Sequence, residues 1–514
     1  MLPHALLAGL ACLALVGVDL WRAPGHPFTV MRTAVAGAWA AVWLAYGVNV
    51  AAFPAPQPAA LALLAAGCAV ALLSVPGPST SRSTEDPSGL DRGAGRVAFV
   101  VLVGLAAAVV AADVWYNVPR LVRGNLVDAL VQHRTDRANQ TGAYGLPGAE
   151  MAHALAALTG ALGYAQWAGR RDPLGALAAT LGLASMLSST GRWDVVGYAL
   201  WCFTVDTAVR RRQAARQVVL GTARLFALLG VFFLVHGQLT SKADHLGKLA
   251  AMSAKERLAT VNVPINLGYI EAASPSVGLA PEAARSCPPE TTPRSSHVDD
   301  TTSATPPRPA APAAAAAAPG AAPEAQARAA RAASSGEPCP RWVEGARDAN
   351  RRFQELPSVA RVGVSYFAGP LAAFDRAICE GRPGPRAVIS YWPRKIGRLV
   401  GLVRDSATYA VDPFVDIGVP FNNFTVIYSF WSELGAVTGL LAWLATALLL
   451  RAFSRWAVTS GGTLPVVVAG AAPVAIAVRT PWTNSFFDGT LAIWIGAALA
   501  LSALSRATAR THSP

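Results

Sequence analysis

Apolar runs broken by short polar connections dominate the chain, each near the roughly 20 residues that a helix needs to cross about 30 Å of hydrocarbon. Eleven such runs lie near 3–21, 33–53, 58–76, 95–114, 150–168, 173–189, 193–209, 219–237, 430–450, 463–478 and 489–505. The third and tenth carry the weakest pattern. The first lacks a basic leading region and is followed closely by a second, so it reads as a retained helix and not a cleaved signal peptide. The pattern predicts an all-α polytopic membrane protein with about eleven transmembrane helices, eight within 1–237 and three within 430–514.

Between 238 and about 421 no run is long enough to span. Residues 238–271, with LGKLAAMSAKERL, have helical periodicity. Residues 272–338, including TTSATPPRPAAPAAAAAAPGAAPEAQARAARAASS, bury too little apolar surface to offset chain entropy and read as a disordered Pro/Ala-rich insertion. Aromatics and mixed charge return over 339–429, which predicts a small helical cap.

Composition supports this reading: 53% of residues are hydrophobic and 14% charged, against about 25% charged in soluble domains. The 43 basic residues exceed the 30 acidic ones, yet the arginines are scattered between runs without a contiguous basic domain, so no nucleic-acid partner is expected. With the N-terminus outside, fifteen arginines fall in short inner connections and six in outer ones. The positive-inside rule therefore favours a cytoplasmic-membrane protein with N-terminus out, C-terminus in and the long connection extracytoplasmic. The six on the disfavoured side are Arg120, Arg123, Arg134, Arg137, Arg192 and Arg479. Each is a candidate to bind an anion or, as plainly, a lipid headgroup. Cys287, Cys339 and Cys379 also fall outside, where disulfides form. Pairing Cys339 with Cys379 would staple the cap and pairing Cys287 with Cys339 would tie off the insertion; the first is preferred.

No phosphate-binding glycine loop, HExxH, CxxC or GxSxG occurs, and no DxD-like pair lies in an inner loop, so neither a nucleotide nor a metal is expected. Acidic residues are scarce in the runs, Glu433 and Asp206 being the exceptions, which argues against an ion-coupled transporter. Several polar segments face outward: NVPRLVRGNLVDALVQHRTDR (117–137), read as an amphipathic helix at the interface; SSTGRW (188–193); VSYFAGPLAAFDRAI (364–378); VPFNNFTVIYSFWSELGAVTGLL (419–441); and VRTPWTNSFFDG (478–489).

GPLAAFD following Tyr366 and Phe367, the N-x-F-T of Asn422 to Thr425 leading to a carboxylate-x-glycine at Glu433, and the STGR ending at Arg192 together resemble the oligosaccharide repeat unit polymerase family, the Wzy-type O-antigen polymerases. The resemblance covers the apolar runs and 355–441. Glu433 replaces the family's usual aspartate, Leu434 a common aromatic and Phe424 a tyrosine.

What the resemblance implies is a metal-independent, cofactor-free membrane glycosyltransferase of the C-type architecture. It would join undecaprenyl-diphosphate-linked oligosaccharides outside the cytoplasm, with membrane lipid and a chain-length regulator protein as partners. Arg192 and Arg479, then Arg120 and Arg123, would hold the diphosphate, since a guanidinium pairs bidentately with phosphate. Glu433, Asp375, His133 and Asp488 are the candidates for general base. Tyr366, Phe367, Asn422, Thr425 and Tyr428 would contact glycan. Blander roles stand beside these: Asp375 paired with Arg376, Arg394 or Lys395, His133 on the surface, Glu433 at a helix start, where the helix dipole favours a carboxylate. A lipid-linked glycan ligase would use the same donor and arginines. A flippase or scaffold is the reading of another class, and of the basic residues a flippase cavity requires only Arg224 lies clearly within a run.

Overall fold

Proline opens several of the helices, at Pro3, Pro27, Pro58, Pro173 and Pro340, where its missing N–H would have no intrahelical partner and its fixed φ suits the first turn. The computed structural model describes residues 2–23, 26–77, 93–123, 148–188, 192–209, 339–381, 415–421, 424–459, 463–482 and 489–511, with scattered positions between 220 and 256. The chain divides into two units, Met1–Leu267 with Gly336–Pro514, and Gly268–Ser335, the second lying wholly outside the described residues.

The described residues are mostly helical. The apolar helices are α1 (Pro3–Arg22), α2 (Pro27–Val48), α3 (Pro58–Leu73), α4 (Gly93–Arg123), α5 (Ala149–Arg170), α6 (Pro173–Ser188) and α7 (Arg192–Val209). The segment that follows, labelled the cap for its place in the sequence, contributes α8 (Pro340–Glu355), α9 (Ser358–Phe367), α10 (Gly369–Cys379), a hairpin of β1 (Val415–Asp416) and β2 (Pro420–Phe421), and α11 (Val426–Leu434). Then come α12 (Ala436–Thr459), α13 (Leu464–Arg479) and α14 (Gly489–Thr511). Ten of the eleven apolar runs coincide with helices; the run near 219–237 lies outside the described residues apart from scattered positions. Among the described residues four helices, α1, α2, α4 through Pro119 and α12 through Val458, are long and apolar enough to cross a membrane.

The run near 430–450 is divided differently from the sequence reading. Gly435, at φ +80°, breaks it into α11 and α12, a conformation that glycine adopts without a Cβ clash. The segment 117–137 also differs, because α4 continues through Pro119 to Arg123; residues 124–137 lie outside the described ones.

At the centre is α13, buried at every position from Leu464 to Val478 and packed on α2, α5, α7, α12 and α14. Its small residues permit that enclosure: a Cβ on Gly470 would fall 2.3 Å from the Ala457 methyl of α12. Side chains of α7 reach its carbonyls, the Trp201 indole donating to Val468 at 2.8 Å and the Thr204 hydroxyl to Ala471 at 3.3 Å. Around this core α1, α4 and α12 turn Leu7, Leu10, Trp21, Val97, Val101, Trp115, Leu441 and Leu449 outward. Such apolar exteriors suit hydrocarbon and would promote aggregation in water. The apolar helices carry more acid than the sequence reading recognised. Asp19 of α1 pairs with Arg32 of α2 at 3.2 Å, and Asp113 of α4 is 2% exposed.

The cap stands on the connection between α2 and α3. Asn49, left-handed at φ 55°, ends α2, and its side chain clasps both the N–H and the carbonyl of Phe53 at 2.7 and 2.8 Å. That fixes the Phe53 ring against Trp342 and Phe353, at 6.4 and 6.1 Å. Helix α8 buries Trp342, Ala346, Ala349 and Phe353 along one stripe and is polar elsewhere. The Cys339–Cys379 disulfide joins the start of α8 to the end of α10, with Cα atoms 5.7 Å apart.

Candidate functional site

The residues following the buried stretch of α13 meet the cap. Trp39 of α2 donates its indole N–H to Thr480 Oγ1 at 3.0 Å, and the backbone N–H of Val426 donates to the Thr480 carbonyl at 3.0 Å. Trp482 receives Phe367, the last residue of α9, edge-on at 5.9 Å. One short stretch therefore ties an apolar helix to two cap helices.

Arg479 is half-buried, and its guanidinium runs against α7: Nη1 lies 2.5 Å from where a Cβ on Gly197 would project. Arg192 opens α7 five residues earlier, about 7.5 Å along the helix axis. The start of α7 and the end of α13 therefore lie at the same end of the bundle. Phe367 and Tyr366, both half-buried, lie on the same cap helix.

Other sequence candidates take different positions. Asp375 is fully buried within α10. Its Oδ2 accepts from Arg341 at 2.5 Å and from the Trp342 indole at 2.9 Å, and its Oδ1 accepts from the backbone N–H of Gln57 at 2.8 Å. Arg341 also donates to the Ala55 carbonyl. Asp375, a candidate base in the sequence, thus latches the cap to the α2–α3 connection. Burial pushes its carboxyl above the usual range, against the downward pull of Arg341, Gln57 and Trp342. Arg376, one of the three partners weighed for it in the sequence, pairs with Glu380 at 2.7 Å.

Tyr428 and Thr425, expected from the sequence to contact glycan, are likewise fully buried. The Tyr428 ring stacks on Phe424 at 3.8 Å and meets Phe374 edge-on at 6.5 Å, forming the core under α11. Glu433 is half-buried and lies at the end of α11, not at a helix start. There the dipole of its own helix disfavours a carboxylate. His133, Asn422 and Asp488 lie outside the described residues, as do the side chains of Arg120, Arg123 and Arg192.

The sequence reading did not single out Arg341, Gln57, Trp39, Trp482 or Gly197. Trp482 stood in a quoted outward motif, whereas the others carry no local signal and acquire a role only through contacts distant in sequence. Among the described residues no group of three or more His, Cys, Asp or Glu side chains could hold a metal. No protein-family model, curated protein or solved structure matches the chain.

Proposed function

We propose that the chain is a C-type membrane glycosyltransferase that polymerises undecaprenyl-diphosphate-linked oligosaccharide repeat units on the extracytoplasmic face of the cytoplasmic membrane. The observation that carries this reading is the placement of Arg479 against Gly197 of α7, the helix that Arg192 opens, under a cap joined to the same end of the bundle. Ten helices on ten of the eleven runs support the eleven-span topology. The cap contacts both the α2–α3 connection and the end of α13, so these three belong to one face, the side that the positive-inside count assigns to the exterior. A disulfide in the cap fits that compartment.

In this reading the acceptor hydroxyl forms the new bond to the donor's anomeric carbon as the bond to diphosphate breaks. Arg192 and Arg479 stabilise the charge growing on the departing oxygen, a contribution of several kcal/mol in a partly dehydrated cleft. Glu433 is the half-exposed carboxylate among the sequence candidates and takes the hydroxyl proton. Phe367 and Tyr366 border the glycan. The test is deletion of the gene in its host, complemented by Arg192→Ala and Arg479→Ala. Accumulation of a single lipid-linked repeat unit is expected in all three strains; unchanged surface polysaccharide on deletion overturns the function, and full rescue by both variants overturns the site.

A further inference from the structure

At the end of the bundle away from Arg479, the turn between α5 and α6 gathers charged and aromatic side chains. Helix α7 tells the two ends apart. Its Gly197 faces Arg479, whereas Val209, about 18 Å further along the axis, lies 3.9 Å from where a Cβ on Gly169 of α5 would project. The turn itself is Arg171 and Asp172. Both oxygens of Asp172 are engaged: Oδ1 accepts from the backbone N–H of Leu174 at 3.1 Å, and Oδ2 from Arg96 of α4 at 2.7 Å. Arg171 is held otherwise. Its guanidinium lies over the Trp167 ring, 5.2 Å from the centroid, and among the described residues it pairs with no carboxylate.

The backbone sharpens that observation. Arg171 ends α5 in the left-handed region at φ 57°, its N–H donating to the Trp167 carbonyl at 2.9 Å. Glycine fills such a position without a Cβ penalty, and an arginine is strained there. The strained residue is also exposed, so core packing does not offset its cost.

The neighbouring surface is apolar and exposed. Asp172 ties the turn to the fourth residue of α4, a helix long and apolar enough to cross a membrane. Val97 and Val101 of that helix are each 64% exposed, Leu177 of α6 is 50% exposed, and Trp167 keeps 38% of its surface. The turn therefore lies where the apolar exterior of α4 begins, a border suited to indole and arginine, each with an apolar body and a polar end. A soluble anion would leave the valines and the leucine uncovered; a phospholipid supplies a phosphate and acyl chains together.

We propose that Arg171, held on Trp167, binds the phosphate of an anionic phospholipid whose acyl chains cover the adjoining exterior of α4 and α6, a site separate from that of the proposed glycosyl transfer. The guanidinium fork donates to the phosphate oxygens, and the indole face shields that pair from water. Arg96 and Arg170 set two more guanidinium groups against the carboxylate of Asp172, so the turn favours an anionic headgroup over a zwitterionic one.

The full chain in phosphatidylcholine nanodiscs, with a fixed trace of phosphatidylglycerol carrying a diazirine beside its headgroup, tests this. Crosslinks are expected on the peptide containing Trp167 and Arg171. They should fall as unlabelled phosphatidylglycerol replaces phosphatidylcholine, and persist when soluble glycerol phosphate is added. Arg171→Gly removes the cation and also relieves the left-handed backbone, so this variant should unfold near or above the wild-type temperature in neutral detergent. Its crosslinking at this peptide should fall about 10-fold or more, the scale of a lost hydrogen-bonded charge pair. Arg171→Lys and Trp167→Leu should lie between. Arg479→Ala should crosslink as wild type does, so failure of the glycosyltransferase reading leaves this result untouched. Undiminished crosslinking in Arg171→Gly, or crosslinks that unlabelled phosphatidylglycerol does not displace, overturns the site. Displacement by glycerol phosphate would make the ligand a free anion and overturns the lipid.

Discussion

The Arg341 guanidinium lies 2.5 Å from the Asp375 carboxylate, which has no exposed surface, while the Arg341 side chain keeps 28% of its own. The pair is asymmetric: losing the arginine strands a buried charge, whereas losing the aspartate leaves an arginine that can reach water. The expected cost of Arg341→Gln is therefore about 3 kcal/mol, the lower end for breaking a buried pair.

That cost depends on pH, with a defined sign. Burial already raises the Asp375 carboxyl above its ordinary range, and Arg341 is among the groups pulling it down. Removing Arg341 raises it further, so folding of the variant takes up a proton. For a group raised on folding, the associated stability is present below the unfolded value near 4 and lost as pH rises through the folded one. Thermal unfolding in detergent should show the Arg341→Gln deficit largest at pH 8 and smallest at pH 5. A deficit that grows on acidification would contradict this account of the latch.

The Cys339–Cys379 bridge predicts a count of thiols. Of six cysteines, Cys12, Cys68 and Cys202 are free and buried, and Cys287 lies outside the described residues. Protein from an oxidising compartment, denatured and treated with a maleimide mass tag, should take four tags before reduction and six after. The bridge spans 40 residues, a loop for which chain entropy gives about 4 kcal/mol. Cys379→Ser should lower the unfolding temperature accordingly and add one tag before reduction for Cys339. Six tags without reduction would place the cap in a reducing compartment and sink the proposed topology.

Helix α3 approaches the cap through the absence of a side chain. A Cβ on Gly67 would fall 2.1 Å from Ile427 Cγ1 of α11. Gly67→Ala is expected to destabilise by about 1–3 kcal/mol through overpacking. Adding Ile427→Ala makes room, so the double variant should lose at least about 1 kcal/mol less than the two single losses combined. Strict additivity in detergent unfolding would show that α3 and α11 are not in contact.

These contacts mark where the sequence was informative. Ten apolar runs fell on helices, some ends lying six to nine residues away, because a run of that length has few other ways to satisfy its backbone. The break at Gly435 was missed because α11 is as apolar as the helix it precedes, and hydropathy cannot register a change of backbone direction. Within the cap the hydrophobic stripe of α8 was readable, yet the partner of Asp375 was not. Arg376, Arg394 and Lys395 all lie closer to it in sequence than Arg341. The disulfide helps to explain that choice: it joins the residue before α8 to the end of α10, and so brings Arg341 beside Asp375. Of the site residues, Arg479 and Arg192 could be proposed from sidedness alone, whereas Gly197, which leaves space for Arg479, required the packing of α7 on α13.

That last contact gives a way to disturb the site without removing its charge. A methyl on Gly197 would stand 2.5 Å from Arg479 Nη1 and 3.4 Å from its Cζ, so the guanidinium must move. The displaced group is the far end of a flexible side chain, and within a helix alanine is preferred to glycine by about 1 kcal/mol. Gly197→Ala should therefore unfold near the wild-type temperature. Catalysis that depends on a fixed cation should suffer more, with polymer formation falling about 10-fold or more, since misplacing such a group by about 1 Å can cost 10²-fold. Arg479→Lys, which keeps the charge but loses the planar fork, should fall between Gly197→Ala and Arg479→Ala. Polymer assayed on gels from complemented cells, with protein levels matched, orders the three variants. Wild-type polymer from Gly197→Ala together with loss in Arg479→Ala would mean that the charge of Arg479 acts without a set position, and would remove α7 from the site.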